Sequence, residues 1–500
     1  MAHLVWLKRD LRIDDHEPLA TAVLSGPCIV LYVYEPEYYG SAEFAPAHHH
    51  FIDACLRELE EAVRARGGTL VYRVGTVPDV LESLHADVPI LSVHSHEETG
   101  TALTYARDRR VRAWCRARGI PWIEYAQTGV VRGLRSRDGW AKRWNARMTR
   151  PLVAEPERIV SAEIAPQARR TLADLGVPDD AKPDALPGGS RAAHAMLASF
   201  LADRGVAYRT EMSSPLTAFD ACSRLSPYLA YGAISMKRVY GETLARESDL
   251  RARRSFGESI DSRWLGSLTS YKGRLHWHCH FMQKLEDQPS LEFENQARTY
   301  DGLRENDFDE ERFAAWRAGR TGFPMVDACM RALHRSGWIN FRMRAMLMSF
   351  ASYHLWLHWR PTAVYLGSQF LDFEAGIHYP QAQMQSGTTG INTLRIYSPT
   401  KQVLDHDATG AFIRTYVPEL ANVPAAFIAE PHLMPPLVAA SIGFRPGIDY
   451  PLPIVDHRSA VAFAKERLYA IRRSSEARVE AGAVYRKHGS RKGTKRAPRA

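Results

Sequence analysis

Strand and helix signals alternate from residue 3 to residue 125, and that alternation leaves few folds open. Residues 3–7 (HLVWL) and 28–35 (CIVLYVYE) are apolar runs too short for helices, with a helical pattern at 17–24 between them. The pattern then repeats: helix 48–66 closed by Gly67-Gly68, strand 69–74, helix 78–85, strand 90–94, helix 101–118, strand 122–125. Strands separated by helices predict a parallel, doubly wound sheet whose ligands lie at the carboxyl ends of its strands. Lys8-Arg9-Asp10-Leu11-Arg12 follows the first strand, so the glycine-rich dinucleotide fingerprint is missing from its usual place.

Five hundred residues, 45% hydrophobic and 24% charged, exceed one ordinary core and predict two domains. Pro151, Pro156, Pro166, Pro178, Pro183 and Pro187 punctuate residues 151–190, which read as a linker between an α/β domain (1–150) and an all-helical domain (191–485). Helical periodicity runs through 192–200, 228–246, 262–285, 310–318 and 324–335. No run of some eighteen apolar residues predicts a membrane span, and the opening MAHLVWLKRDLR is no secretory signal, so a cytoplasmic monomer is expected. The six cysteines form no CxxC pair and predict no disulfide framework. A net charge of +9 favours polyanionic partners. Residues 486–500, rich in Lys and Arg and without an acid, read as a disordered tail, either solubilising or contacting phosphates.

Residues 337–399 carry the densest chemistry. Met343, Leu347, Phe350 and Leu357 share one helical stripe and Met346, Tyr353, Trp356 and Trp359 fill its flanks, predicting one buried helix. Arg342 and Arg344 in its first turns need partners, and Asp372 and Glu374, beside the Gly376-Ile377-His378 turn, can answer them. Aromatic walls, guanidiniums, carboxylates and a histidine suit a large planar cofactor carrying phosphates. Upstream, Ser223-Arg224-Leu225-Ser226-Pro227 precedes a helix, a pattern shared by phosphate cradles and by the commoner plain N-cap. His276, His278 and His280 alternate around Trp277; no nearby carboxylate or cysteine completes a site, so they predict a polar wall and no metal site.

These motifs together resemble the photolyase and cryptochrome family of flavoproteins. The resemblance rests on Val5 to Arg12 with Asp14, on Ser223-Arg224-Leu225-Ser226, and on Arg320 to Pro324 with Asp327-Ala328 and Met330-Arg331. It continues through Gly337-Trp338, Asn340, Arg342 and Arg344 to Arg395 to Pro399, Gln402, His406, Phe412-Ile413-Arg414 and Pro418-Glu419-Leu420. It implies an amino-terminal antenna domain, able to hold a second chromophore, followed by a helical domain binding FAD without a covalent bond. By matching position it implies that Tyr208 touches FAD, that Ser223, Arg224, Leu225 and Ser226 hold its phosphates, and that Arg344 pairs with Asp372 beside the isoalloxazine. Glu374 stands where the family usually has aspartate, and His378 where photolyases commonly place asparagine opposite flavin N5.

Departures from the pattern narrow the function. Arg274 and Phe341 replace the glutamate and asparagine that contact cyclobutane dimers in many photolyases, and Phe341 and Ala345 replace the histidines typical of (6-4) photolyases. Trp277 matches a tryptophan that stacks on the lesion. Of the usual electron-transfer triad only Trp359 is kept, with Asn306 and Ala382 in the other places; Trp356, Trp338 or Tyr379 is left to complete a path. The lack of carboxyl-terminal cysteines separates the chain from the iron–sulfur members. The resemblance implies light-driven repair of pyrimidine dimers, cyclobutane dimers first, in UV-damaged DNA, with Trp277, Arg274 and His278 at the lesion. The alternative is a cryptochrome-type photoreceptor without repair.

Overall fold

The computed structural model describes residues 1–490. Five strands, β1 (Ala2–Leu7), β2 (Cys28–Tyr34), β3 (Leu70–Val74), β4 (Ile90–His96) and β5 (Trp122–Tyr125), form one all-parallel sheet in the order β3-β2-β1-β4-β5. The crossovers are α1 (Glu17–Ser25), α2 (Pro46–Arg64), α3 (Val77–Asp87) and α4 (Ala102–Arg118). Central strands of such a sheet are covered on both faces, and every residue of β2 is buried. Leu4, Trp6, Ile29 and Leu31 point to one face and meet Leu81 and Leu84 of α3 and Val111 and Trp114 of α4. Val5, Leu7, Val30 and Tyr32 point to the other, into a core that contains Phe51 and Leu56 of α2.

That second core does not stop at the α/β half. It continues through Tyr228, Tyr231, Trp264 and Leu268 of the helical part, so both halves bury apolar surface in the same volume. Loop 8–12 reinforces the joint: Arg9 donates to the carbonyls of Ala230 (3.3 Å) and Phe373 (2.9 Å), Arg12 to that of Gly232 (2.9 Å), and the Leu11 amide to Tyr231 (3.1 Å). Residues 151–189 are a fixed strap. The Cys28 amide donates to Val160 and the Ala162 amide to Cys28, while Lys182 reaches the His334 carbonyl (3.1 Å) and Gln369 (2.9 Å).

The helical part includes α5 (Ser190–Ala202), α6 (Ser226–Ala230), α7 (Met236–Ser255), α8 (Arg263–Asp287), α9 (Glu310–Arg317), α10 (Pro324–Ser336), α11 (Phe341–Ser349), α12 (Trp359–Gln369), α13 (Ala375–Ser386), α14 (His457–Arg472) and α15 (Ser475–His488), with further short helices between them, among them Pro399–His406 and Ala411–Tyr416. No helix among the described residues is long and apolar enough to cross a membrane, and all six cysteines are free thiols.

Three expectations are corrected. The single buried helix over the 343–359 stripe is three pieces: α11, a π-turn at Phe350–His354, and α12. A continuous helix would need an N–H from Pro361 for the Leu357 carbonyl; Pro361 has none, so the helix restarts at Trp359 with proline in its first turn. Trp356 turns the chain between them with a left-handed backbone, φ 57°. The helix expected over 228–246 is divided at Gly232, which has φ +65°, and restarts on the Ser235 cap of α7. The tail expected from 486 begins inside α15, which holds residues 486–488; residues 491–500 lie outside the described part.

Candidate cofactor site

Four elements bring the predicted residues together. Loop 222–225 carries Ser223, Arg224 and Leu225 and leads into Ser226, the first residue of α6, and Arg224 adopts φ 54°, a conformation a bulky residue keeps only when its surroundings hold it. Its guanidinium lies 5.1 Å from the ring centres of both Phe219 and Trp338. The helix that follows, α6, is five residues long, so the cradle rests on side chains and not on a helix dipole. Leu225 is buried core, and Ser226 faces the Asp372 carboxylate. Cys222 marks the electrostatic centre: burial pushes its thiol up to about 12 against the pull of Arg204, Arg224, Arg274 and Arg344 around it.

Arg344, in the second turn of α11, makes a two-pronged bond to Asp372, Nη1 to Oδ1 at 2.8 Å and Nη2 to Oδ2 at 2.9 Å, and its Nε donates to the Ile339 carbonyl. Burial acts against the Asp372 charge, but Arg344 outweighs it and holds the carboxyl below its ordinary value. The Leu371 amide donates to the Gly337 carbonyl, which fixes where Asp372 leaves the chain. Arg342 does not share this carboxylate, and Glu374 does not answer either arginine. Glu374 instead accepts from His278 Nε2 at 2.7 Å, tying α8 to the start of α13. Burial opposes the His278 charge, and the Glu374 carboxylate overrides it, raising the imidazole to about 10.

His378, on α13, donates from Nε2 to the Ala363 carbonyl at 2.7 Å. A carbonyl only accepts, so the proton is on Nε2 and Nδ1 is a bare acceptor; burial lowers the ring to about 4 and keeps it neutral. On α8, Tyr271, Arg274, Trp277 and His278 follow one another at helical spacing. Arg274 is exposed, faces the Tyr208 hydroxyl, and touches Met212 Sδ at 3.8 Å. The Met212 carbonyl in turn accepts from Asn340, next to Phe341, which is 46% exposed. Trp277 is half-buried against Phe281 and His280.

Of the three histidines of α8, His276 and His280 share one side, both packing edge-on against Trp140, while His278 turns away to Glu374. Asp10, His16 and His96 do converge, but the Leu19 amide donates to His16 Nδ1, which leaves the proton on Nε2 facing Asp10, and His96 Nδ1 also meets that carboxylate, at 2.8 Å. His96 is hydrogen-bonded to the carboxylate, and His16 Nε2 stands 3.1 Å from the same oxygen without the alignment of a hydrogen bond. Trp338 and Trp359 are buried; Trp356 is buried with the Arg304 guanidinium 4.4 Å from its ring centre.

A second feature lies between the halves. The loops after β1 and β4, the neighbours at which the strand order reverses, line a cleft with Lys8, Arg9, His96 and Glu98 on one side and Phe373, Glu374 and Met282 on the other.

Comparison with known proteins agrees with this geometry. A model described as DNA photolyase matches residues 3–139, and one described as the FAD binding domain of DNA photolyase matches residues 271–470. The chain belongs to the photolyase and cryptochrome family. A cryptochrome DASH from Gloeobacter violaceus is 28% identical over 93% of this chain and 95% of its own length. A deoxyribodipyrimidine photo-lyase from Alkalihalophilus pseudofirmus is 26% identical over 92% and 97%. The crystal structure of a bacterial class III photolyase from Agrobacterium tumefaciens superposes with a TM-score of 0.81 at 25% identity, covering 95% of this chain and 98% of that one.

FAD is the cofactor of the family domain that the chain carries, and the residues present fit it. Arg224 Nε, Tyr271 Oη, Asn340 Oδ1 and Arg342 Nε are buried polar atoms with no hydrogen-bond partner among the described residues. Such atoms are costly unless a ligand engages them, and two belong to arginines, as a diphosphate requires. Sequence reasoning missed Arg204 and Tyr271. Tyr271 had a signal, three residues before Arg274 on one helix; Arg204 had none.

Proposed function

We propose that the protein is a light-dependent FAD enzyme that repairs pyrimidine dimers in UV-damaged DNA, with cyclobutane dimers as substrate. FAD, when bound, supplies light-driven electron donation to the lesion. Arg224 and Ser223 hold the diphosphate, with Arg204 adding charge, and Tyr208 and Leu225 close around the cofactor. The Arg344–Asp372 pair and His378 Nδ1 face the isoalloxazine. Glu374 acts indirectly, holding α8 through His278. The observation that carries the DNA reading is the exposed pair beside Met212, Arg274 and Phe341, with half-buried Trp277 one turn along α8, which offer a cation and two aromatic faces to two adjacent bases flipped out of one strand. Arg274 stabilises negative charge on the dimer once the electron arrives.

The same residues favour cyclobutane over (6-4) lesions, whose repair needs a proton donor. Phe341 and Ala345 transfer no proton, His278 is committed to Glu374, and His280 is buried and held neutral, pushed down to about 2 by burial and by Lys284. The photoreceptor reading keeps one specific support, the replacement of the usual lesion contacts by Arg274 and Phe341. We place the antenna chromophore in the cleft between the halves.

Irradiating the FAD-loaded, reduced protein with oligonucleotides containing one cyclobutane thymine dimer decides between the readings. Intact thymines are expected, and Arg274→Ala should lower their yield severalfold with little change in affinity for the damaged strand. If the flavin is bound and reduced and no thymine is restored, the photoreceptor reading replaces repair.

A further inference from the structure

Three aromatic side chains compete to extend the path from Trp359, and their neighbours rank them. Trp356 has the buried Arg304 guanidinium 4.4 Å from its ring centre, and Arg467 at 5.9 Å. Trp338 has Arg224 at 5.1 Å. An aromatic ring that gives up an electron becomes a cation, and a fixed positive charge at that range in a dry interior opposes it strongly. Tyr379 is the opposite case. It is fully buried, its ring centre is 6.3 Å from that of Trp359, and its hydroxyl donates to the carboxylate of Glu43. Among the described residues no guanidinium is stacked on Trp359, whose Nε1 donates to Asn295 Oδ1 at 2.7 Å.

We infer that Trp359, Tyr379 and Glu43 form a proton-coupled electron relay that runs from the cofactor site to the cleft between the two halves. The inference rests on the FAD reading above. FAD, once bound, oxidised and photoexcited, would supply the oxidant, and Trp359 would give up one electron to it. Tyr379 returns one electron to the Trp359 ring and passes its hydroxyl proton to a Glu43 oxygen. Trp359 is thereby restored, Tyr379 is left as a neutral radical, and Glu43 as a neutral acid. The O–H bond of Tyr379 breaks and the O–H bond of Glu43 forms, so charge, electron and proton balance without another reactant.

The surroundings suit this direction of transfer. Burial, and then Glu43, raise the Tyr379 hydroxyl far above its ordinary value, so tyrosine starts fully protonated and loses its proton only on oxidation. The other groups facing the pair are Glu292 and Arg360. Glu292 is itself raised to about 7 by burial and then by Glu43, although the Ala102 amide donates to it. Gly367 packs under this pair: a Cβ there would press on the Phe373 ring at 3.0 Å and reach Glu43 Cγ at an ordinary contact distance of 3.6 Å. Glu43 belongs to the α/β half and lines the cleft, so the relay ends at a place from which its proton can leave.

Flash absorption and electron spin resonance on the FAD-loaded protein test the relay by its radicals. In the wild type a neutral tyrosyl signal should grow as the tryptophan signal decays, and should form severalfold more slowly in D2O. Tyr379→Phe should abolish the tyrosyl signal, and Glu43→Gln should slow its formation at least tenfold, both with tryptophan oxidation and FAD content unchanged. Glu43→Asp should recover part of the rate. Trp359→Phe should remove both signals. A tyrosyl signal that survives Tyr379→Phe, or a wild type in which only tryptophan is oxidised, overturns the relay while leaving FAD in place. A protein that binds no FAD overturns the cofactor reading instead, and the two failures are read from the same sample by its colour.

Discussion

Arg344 and Asp372 are partners that each make the other tolerable in a buried site. Removing the guanidinium leaves a carboxylate without its counter-charge, a change that costs about 3–5 kcal/mol in buried pairs. Arg344→Ala should therefore purify with most of its FAD lost, as read from visible absorption before and after refolding with excess FAD. The pairing was legible because both residues fall in matching motifs. The bond between His278 and Glu374 was not, because nothing in a separation of 96 residues marks two side chains as neighbours. That bond has a pH signature. His278 is raised to about 10 from an unfolded value near 6.5. Its contribution to stability is full below about pH 6.5 and is lost as pH rises through about 10. Glu374→Gln removes the largest influence that raises His278 and leaves burial opposed only by Cys279, so the His278 pKa should fall and the decline in stability between pH 7 and 10 should shrink. Thermal melts across that range and imidazole NMR check both.

At the scale of elements, the sheet was legible almost to the residue because buried parallel strands are continuous apolar runs bounded by helices with capped ends. The helical part was legible only where helices are long. The break between α11 and α12 was missed although Pro361 announces it, because the apolar stripe continues across the gap and periodicity carries no information about a missing N–H. The break at Gly232 was missed because its cause lies in the other half of the molecule. A Cβ at Gly232 would stand 2.2 Å from the Arg9 carbonyl oxygen and 2.6 Å from the Asp10 Cα, backbone atoms with no room to move. Gly232→Ala should cost more than the ~1–2 kcal/mol of a left-handed alanine alone. It should lower the urea midpoint and loosen loop 8–12, measured by hydrogen exchange at the Leu11 amide. An unchanged midpoint would show that the two halves slide apart without penalty.

For the whole molecule, the histidines set the acid limit. His48, His334 and His378 are lowered to about 4, as is His94. His96, His354 and His488 fall to about 3 and His280 to about 2, with burial the largest cause in every case. A histidine lowered in the folded state supports folding above its unfolded value near 6.5 and withdraws that support as pH falls toward its folded value. Each such group costs up to about 1.4 kcal/mol per pH unit over that interval. The melting temperature should therefore drop steeply between pH 6.5 and 5; a flat profile there would mean that these rings are already charged in the folded protein. Loop 8–12 has a consequence of another kind, in time. The last sheet strand ends at Tyr125, yet the Phe373 carbonyl that Arg9 grips lies 248 residues beyond it. At about 5–20 residues per second, roughly 12–50 s of translation separate the finished sheet from that carbonyl. During that interval the nascent sheet carries an arginine hook with nothing to hold, and anything that delays the ribosome in the helical half lengthens the exposure of the face both halves must later share.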